Sequence, residues 1–88
     1  MTMRMMARWT VPVERGNECV RDGSLAKTMQ ALIKDWSPEA VYFWAENGER
    51  GGMMALDMKD AARIPKIAEP LFLNHDALVD FVPVMNQD

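Results

Sequence analysis

Arg8, Asp57 and Asp80 are charged residues that strand alternation places on one face of a predicted sheet. A guanidinium there would bind an anionic group, and an aspartate would act as a general acid or base. In the alternative interpretation, Arg8 forms an ion pair with an aspartate and fixes the register of a dimer, because buried charges need partners. The sequence leaves open whether an aspartate or a ligand holds Arg8.

Two aromatic residues, Tyr42 and Trp44, alternate onto the same face. They would stack against a planar ligand, or they would anchor a protein interface with their polar tips satisfied. The candidate ligand-binding residues are therefore Arg8, Tyr42 and Trp44, and the candidate proton-transfer residues are Asp57, Asp80 and His75.

The chain contains one histidine, His75, and one cysteine, Cys19. His75 precedes Asp76 in a predicted loop, where it would shuttle protons or, as we expect, lie exposed in a turn. Cys19 is predicted to be inert because no histidine partner is evident. One cysteine and one histidine cannot supply a disulfide or a tetrahedral zinc site within the chain, so we expect no metal and no cofactor.

The composition is that of a globular protein, with 88 residues, 49% hydrophobic and 26% charged. The net charge of −3 argues against a nucleic-acid partner. No apolar run approaches the roughly 18 residues of a membrane span, and the first residues lack the apolar core of a signal peptide. We expect a bacterial, cytoplasmic protein, with residues 1–88 forming a single domain.

The first half of the chain changes from strand to helix periodicity. Alternation predicts a strand over Met3–Val11, which Pro12 ends because proline cannot donate to a ladder. Residues 14–22 include poor helix formers and predict a short helical turn or loop. Apolar spacing from Leu25 to Trp36 predicts a helix with Ser24 as its N-cap.

Strand formers over Ala40–Glu46 are followed by Asn47-Gly48, a strong hairpin signal. A two-residue loop would place Glu46 opposite Glu49, and facing like charges are unfavourable. We therefore predict a four-residue loop over Asn47–Arg50.

The return strand is predicted over Gly51–Met58. A second helix should begin near Ile64, because proline is tolerated only in the first turn, and Pro70 should break or kink it. The last strand is predicted over Val79–Met85, and Pro83 indicates a sheet edge.

This order predicts an α+β ferredoxin-like βαββαβ fold, a four-stranded antiparallel sheet with two helices on one face. The apolar face should lie beneath the helices, and it comprises Met5, Ala7, Trp9, Val41, Phe43, Ala45, Met54, Leu56, Met58, Val79 and Phe81. The opposite face mixes apolar and charged residues, which favours burial against a second copy. We expect a homodimer or an assembly of dimers, and the small chain favours this because it buries little surface alone.

The segment Glu69-Pro70-Leu71-Phe72 and the strand Val79–Val84 resemble the closing segment of muconolactone isomerase-like proteins. Trp9-Thr10-Val11-Pro12 and Leu56-Asp57 fit the same layout, and residues 38–52 and 64–72 are similar to small uncharacterised bacterial proteins of that type. The resemblance implies the dimeric α/β-barrel superfamily, in which two ferredoxin-like sheets pack face to face. Arg8 lies where the isomerases carry an acidic residue, so the isomerase chemistry does not transfer.

Two functions follow from these observations. The first is binding or conversion of a small organic acid or aromatic compound in a pocket of a dimeric barrel, with isomerase-like or cofactor-independent monooxygenase-like chemistry if it is an enzyme. The alternative is a non-catalytic dimeric module whose mixed face is an interface. A filled interface in which Arg8 pairs with an aspartate would favour the non-catalytic dimeric module.

Overall fold

The computed structural model describes residues 3–85 and residue 87. Its strands are β1 (Met3–Val11), β2 (Ala40–Glu46), β3 (Glu49–Met58) and β4 (Leu78–Pro83), and its helices are α1 (Val13–Arg21), α2 (Ser24–Trp36) and α3 (Ile64–His75). A short 3-10 turn over Ala61–Arg63 leads into α3. The bounds of β1 and β2 match the prediction, whereas β4 is shorter than the expected Val79–Met85.

The four strands form one antiparallel sheet in the order β2-β3-β1-β4. Each neighbouring pair is antiparallel, and the helical crossovers skip one strand, which is the ferredoxin-like topology. Strand β4 is an edge strand, as the proline at Pro83 indicated. No helix among the described residues is long and apolar enough to cross a membrane.

Residues 14–22, predicted as a turn or loop, belong mostly to α1, so the helical layer has three helices instead of two. Gly16 and Cys19 form the buried side of this helix. A Cβ at Gly16 would lie 3.3 Å from Val11 Cγ1, so the missing side chain lets α1 approach the sheet closely. Packing therefore overrides the low helix propensity of the segment.

The β2–β3 hairpin turns on Asn47-Gly48 alone, and the predicted four-residue loop is wrong. Both turn residues have positive φ (51° and 83°), as a type I′ turn requires. Glu46 and Glu49 do face each other in the register. Both glutamates lie at the end of the sheet, and the indole N–H of Trp44 donates to Glu46 Oε1 at 3.0 Å, which offsets part of the repulsion.

Helix α3 begins at Ile64, as predicted, but continues through Pro70 to His75. The segment Glu69–Phe72 is therefore helical. Leu71 and His75 follow the proline and are fully buried. Their packing offsets the roughly 3 kcal/mol that an interior proline costs a helix.

The core lies between the helices and one sheet face. It includes Met5, Ala7, Trp9, Val11, Met29, Leu32, Met54, Leu56, Met58, Ile67 and Leu71. The prediction fails at the outer strand, because Phe43 is 61% exposed and Ala45 is also exposed. The helices cover β1 and β3 and leave the hairpin end of β2 open.

Candidate functional site

Arg8 and Asp80 are neighbours on β1 and β4 and form a bidentate ion pair on the sheet face away from the helices. Arg8 Nε and Nη2 donate to the two carboxylate oxygens of Asp80, each at 2.9 Å. The hydrogen bonds and charge of Asp80 raise the pKa of Arg8. The sequence left open whether Arg8 pairs with an aspartate or with a ligand, and the structure shows the pairing with Asp80.

A shallow depression of about 350 Å³ lies beside this pair. The Arg8–Asp80 pair bounds one side, and Trp44 with Glu46 bounds the other. Three of the predicted site residues, Arg8, Trp44 and Asp80, therefore meet here.

The other predicted site residues lie elsewhere. Tyr42 is on the same face, opposite Met53, and is 65% exposed, but it does not line the depression. Asp57 pairs with Arg4 in the register, at the other end of β1. His75 belongs to the helical layer on the other side of the sheet, so the three candidate proton-transfer residues do not converge.

The prediction for His75 is wrong, because it ends α3 and its side chain is fully buried. Its Nδ1 lies 3.1 Å from Cys19 Sγ, and its Nε2 lies 2.7 Å from Thr28 Oγ1. Cys19 therefore has the histidine partner that the sequence did not reveal. The Cys19–Thr28–His75 cluster joins α1, α2 and α3.

Every polar atom of this cluster has a partner when His75 is neutral. In the tautomer with the proton on Nδ1, Nδ1–H donates to Cys19 Sγ, the thiol donates to the Asn74 carbonyl at 3.6 Å, and the Thr28 hydroxyl donates to Nε2. Burial, together with the nearby charge of Arg15, lowers the pKa of His75, and this favours the neutral form. The thiol is fully buried, so the cluster joins the helices without presenting a nucleophile to solvent.

A larger groove of about 610 Å³ opens on the helix side of the sheet, where the helices leave β2 uncovered. Its walls are mainly apolar and include Trp9, Val13, Leu25, Met29 and Phe43. The rings of Trp9 and Phe43 meet edge to face, with centroids 6.2 Å apart. This volume is typical of small-molecule sites.

Gly52 makes room for the indole at the base of this groove. It lies between Trp9 and Phe43 in the register, and a Cβ at this position would come within 2.5 Å of Trp9 Cζ2. The groove was not predicted from the sequence. The pattern that could have indicated it is a pair of glycines in a strand opposite a tryptophan, since a glycine in a strand marks the close approach of another group.

Three polar residues, Asn17, Glu49 and Arg50, also line the groove. Arg50 lies on the helix face because it pairs with Val11 and Ala45. Within residues 3–85 and 87, no group of three or more histidine, cysteine, aspartate or glutamate side chains is arranged to hold a metal ion.

No family model matches the chain, and no curated protein matches it. Among solved structures, the chain is similar to CutA1 from Oryza sativa, with a TM-score of 0.48 and 11% sequence identity. The match covers 99% of this chain and 85% of that chain. The candidate function therefore rests on this chain's own residues.

Proposed function

We propose that this protein binds a small, planar, mainly apolar molecule in the groove between α1, α2 and the β2–β3 hairpin. The observation that carries the proposal is the exposed aromatic wall. Phe43 is 61% exposed in contact with buried Trp9, although both lie on the core face of the sheet. An apolar occupant would cover this surface, which otherwise stays in contact with water.

The proposed role is binding without catalysis. Asp57, Asp80 and His75 lie outside the groove lining. The isomerase-like and monooxygenase-like chemistries would need a proton-transfer group beside the ligand, and strand alternation directs the one carboxylate of the groove lining, Glu49, toward the opposite sheet face. We further propose that the protein is bacterial and cytoplasmic. We propose that it shares ancestry with the muconolactone isomerase-like proteins but not their activity.

The test is a titration of the ¹⁵N-labelled protein with 2-naphthamide, a neutral planar probe. We expect amide shifts to change around the groove, at Leu25, Met29 and Phe43. Ala45→Trp should fill the groove from exposed β2 and abolish the changes, whereas Ala26→Trp, on the exposed surface of α2, should bind like the wild type. The proposal would be overturned if the amide shifts changed mainly outside the groove, or if Ala45→Trp bound the probe as the wild type does.

A second observation favours a homodimer formed through the opposite sheet face. Tyr42 and Leu78 are 65% and 72% exposed there, and Trp44 is partly exposed beside them. Arg8 and Asp80 neutralise each other at the centre, which lowers the cost of covering this face. We propose that the open faces of two copies pack together.

The self-association test uses two leucines of similar exposure, Leu78 at 72% and Leu73 at 74%. Leu78 lies on the open face, and Leu73 lies on α3. In sedimentation equilibrium, we expect a dimer for the wild type and for Leu73→Glu, and a monomer for Leu78→Glu. A wild type that stays monomeric at tens of micromolar concentration would refute the dimer.

A further inference from the structure

We propose that the ligand of the groove carries a carboxylate, which Arg50 binds while the planar part lies against Trp9 and Phe43. This inference rests on the proposed function and names the chemical class of its ligand, an aromatic monocarboxylate. It also moves the anion-binding role from Arg8, whose guanidinium is already paired with Asp80, to a different arginine.

Arg50 is an unusual residue for its position. The helix face of β3 otherwise carries Gly52, Met54, Leu56 and Met58, all of them buried. Arg50 continues this face beside the apolar wall of the groove and lines the groove itself. Its guanidinium avoids the cost of burial because Arg50 is exposed.

Helix α1 sets the path of the Arg50 side chain. A Cβ on buried Gly16 would lie 2.8 Å from Arg50 Nη1 and 3.6 Å from Arg50 Cδ. The missing side chain at Gly16 therefore makes room for Arg50 beside α1. Arg50 stays exposed, so its guanidinium is open to an anion that enters the groove.

The charges around Arg50 favour an external anion. Arg4, Arg8 and Arg15 each form an ion pair with a carboxylate of the chain. Within the described residues, Arg50 forms neither an ion pair nor a side-chain hydrogen bond. Its neighbour Glu49 is the other charged residue at the groove, and strand alternation directs it toward the opposite face.

The geometry of the ligand follows from these groups. A guanidinium binds a carboxylate through two parallel N–H donors, and the amide of Asn17, which also lines the groove, offers a further donor. The aromatic wall accepts a ring system of one or two rings within a volume of about 610 Å³. Both requirements are met by an aromatic acid of naphthoate size.

Two probes of the same shape and different charge test this inference. 2-Naphthoate and 2-naphthamide are titrated separately into the ¹⁵N-labelled full chain, and the dissociation constants are compared. For the wild type we expect naphthoate to bind about tenfold or more tightly than the amide, with a preference that weakens at high salt.

In Arg50→Gln we expect the ratio of the two dissociation constants to fall to about one, and Arg50→Lys should restore part of the preference. Arg21→Gln changes the net charge equally at the end of α1, outside the groove lining, and should keep the wild-type ratio. Equal affinities of the two probes in the wild type, or an unchanged ratio in Arg50→Gln, would overturn the role of Arg50 and leave the groove proposal standing. Failure of both probes to bind would overturn both proposals.

Discussion

His75 Nδ1 lies 3.1 Å from Cys19 Sγ, in a contact that joins the last residue of α3 to the buried side of α1. The two residues are 56 positions apart in the sequence. Thr28 completes the cluster from α2. One imidazole therefore connects side chains from all three helices.

The first prediction concerns pH. The pKa of His75 is lowered from 6.5 in the folded protein, mainly by burial, so the unfolded chain binds the proton more readily. The free energy of unfolding should be independent of His75 above about pH 7 and fall as the pH drops below about 6.5, by at most about 1.4 kcal/mol per pH unit. Arg15 opposes the charged form of His75, while Asp22 and Asp76 favour it.

Urea denaturation at intervals from pH 8 to pH 5.5 measures this dependence. His75→Gln keeps a polar side chain but cannot titrate, so its stability should be lower and should lose most of the slope. A flat wild-type profile, or an equal slope in both proteins, would contradict the prediction.

The second prediction concerns the Thr28 hydroxyl. Thr28→Val keeps the shape of the side chain but leaves His75 Nε2 buried without a partner, which should cost about 1–3 kcal/mol of unfolding free energy. Thr28→Ser keeps the hydroxyl and should recover most of that loss. Chemical denaturation at pH 8 compares the three proteins, and equal stability of Thr28→Val and wild type would show that the hydrogen bond contributes nothing.

The third prediction compares two glycines that have close neighbours. A Cβ at Gly52 would meet Trp9 Cζ2 at 2.5 Å and the Tyr42 carbonyl at 3.0 Å, and neither can move easily. Gly52→Ala should therefore destabilise the fold by about 1–3 kcal/mol. At Gly16, the shortest contact is with the end of the exposed Arg50 side chain, and the 3.3 Å contact with Val11 Cγ1 needs only a small shift. Alanine also favours the helix, so Gly16→Ala should lie within about 1 kcal/mol of wild type. Equal losses in thermal melts would contradict this difference.

The fourth prediction concerns the two-residue hairpin turn. Gly48 has φ of 83°, a conformation that costs other residues about 1–2 kcal/mol. Gly48→Ala should lower the unfolding free energy by about that amount, while Asn47→Gly should be tolerated because φ is also positive there. A Gly48→Ala variant as stable as the wild type would show that the turn adopts another geometry.

Local patterns were sufficient to predict most of the sheet. The bounds of β1 were confirmed because its side chains alternate, and those of β2 because strong strand formers precede Asn47-Gly48. The order of elements then leads to the ferredoxin-like topology. Local propensity failed where distant contacts decide the outcome. Helix α1 depends on the approach of Gly16 to Val11, and α3 continues past Pro70 because Leu71 and His75 are buried.

The candidate site was harder to predict for the same reason. Alternation placed Arg8, Trp44 and Asp80 on one face, and the register brings them together. No local pattern reveals that the helices stop short of Phe43, or that Arg50 lies on the helix side of β3 once the turn has only two residues. The predicted four-residue loop placed Arg50 in the turn and not in the strand. The position of this cation at the groove was therefore not predicted.

Trp44 lines both the groove on the helix side of the sheet and the depression on the open face. The proposed ligand and the proposed second copy would therefore share the Trp44 indole as a wall, beside Trp9, which also lines both. If the two occupants favour different positions of this side chain, the two equilibria are linked. By thermodynamic linkage, the factor by which the bound ligand changes the affinity between two copies equals the factor by which dimerisation changes the affinity for the ligand. The strength of self-association would therefore report on occupancy of the groove.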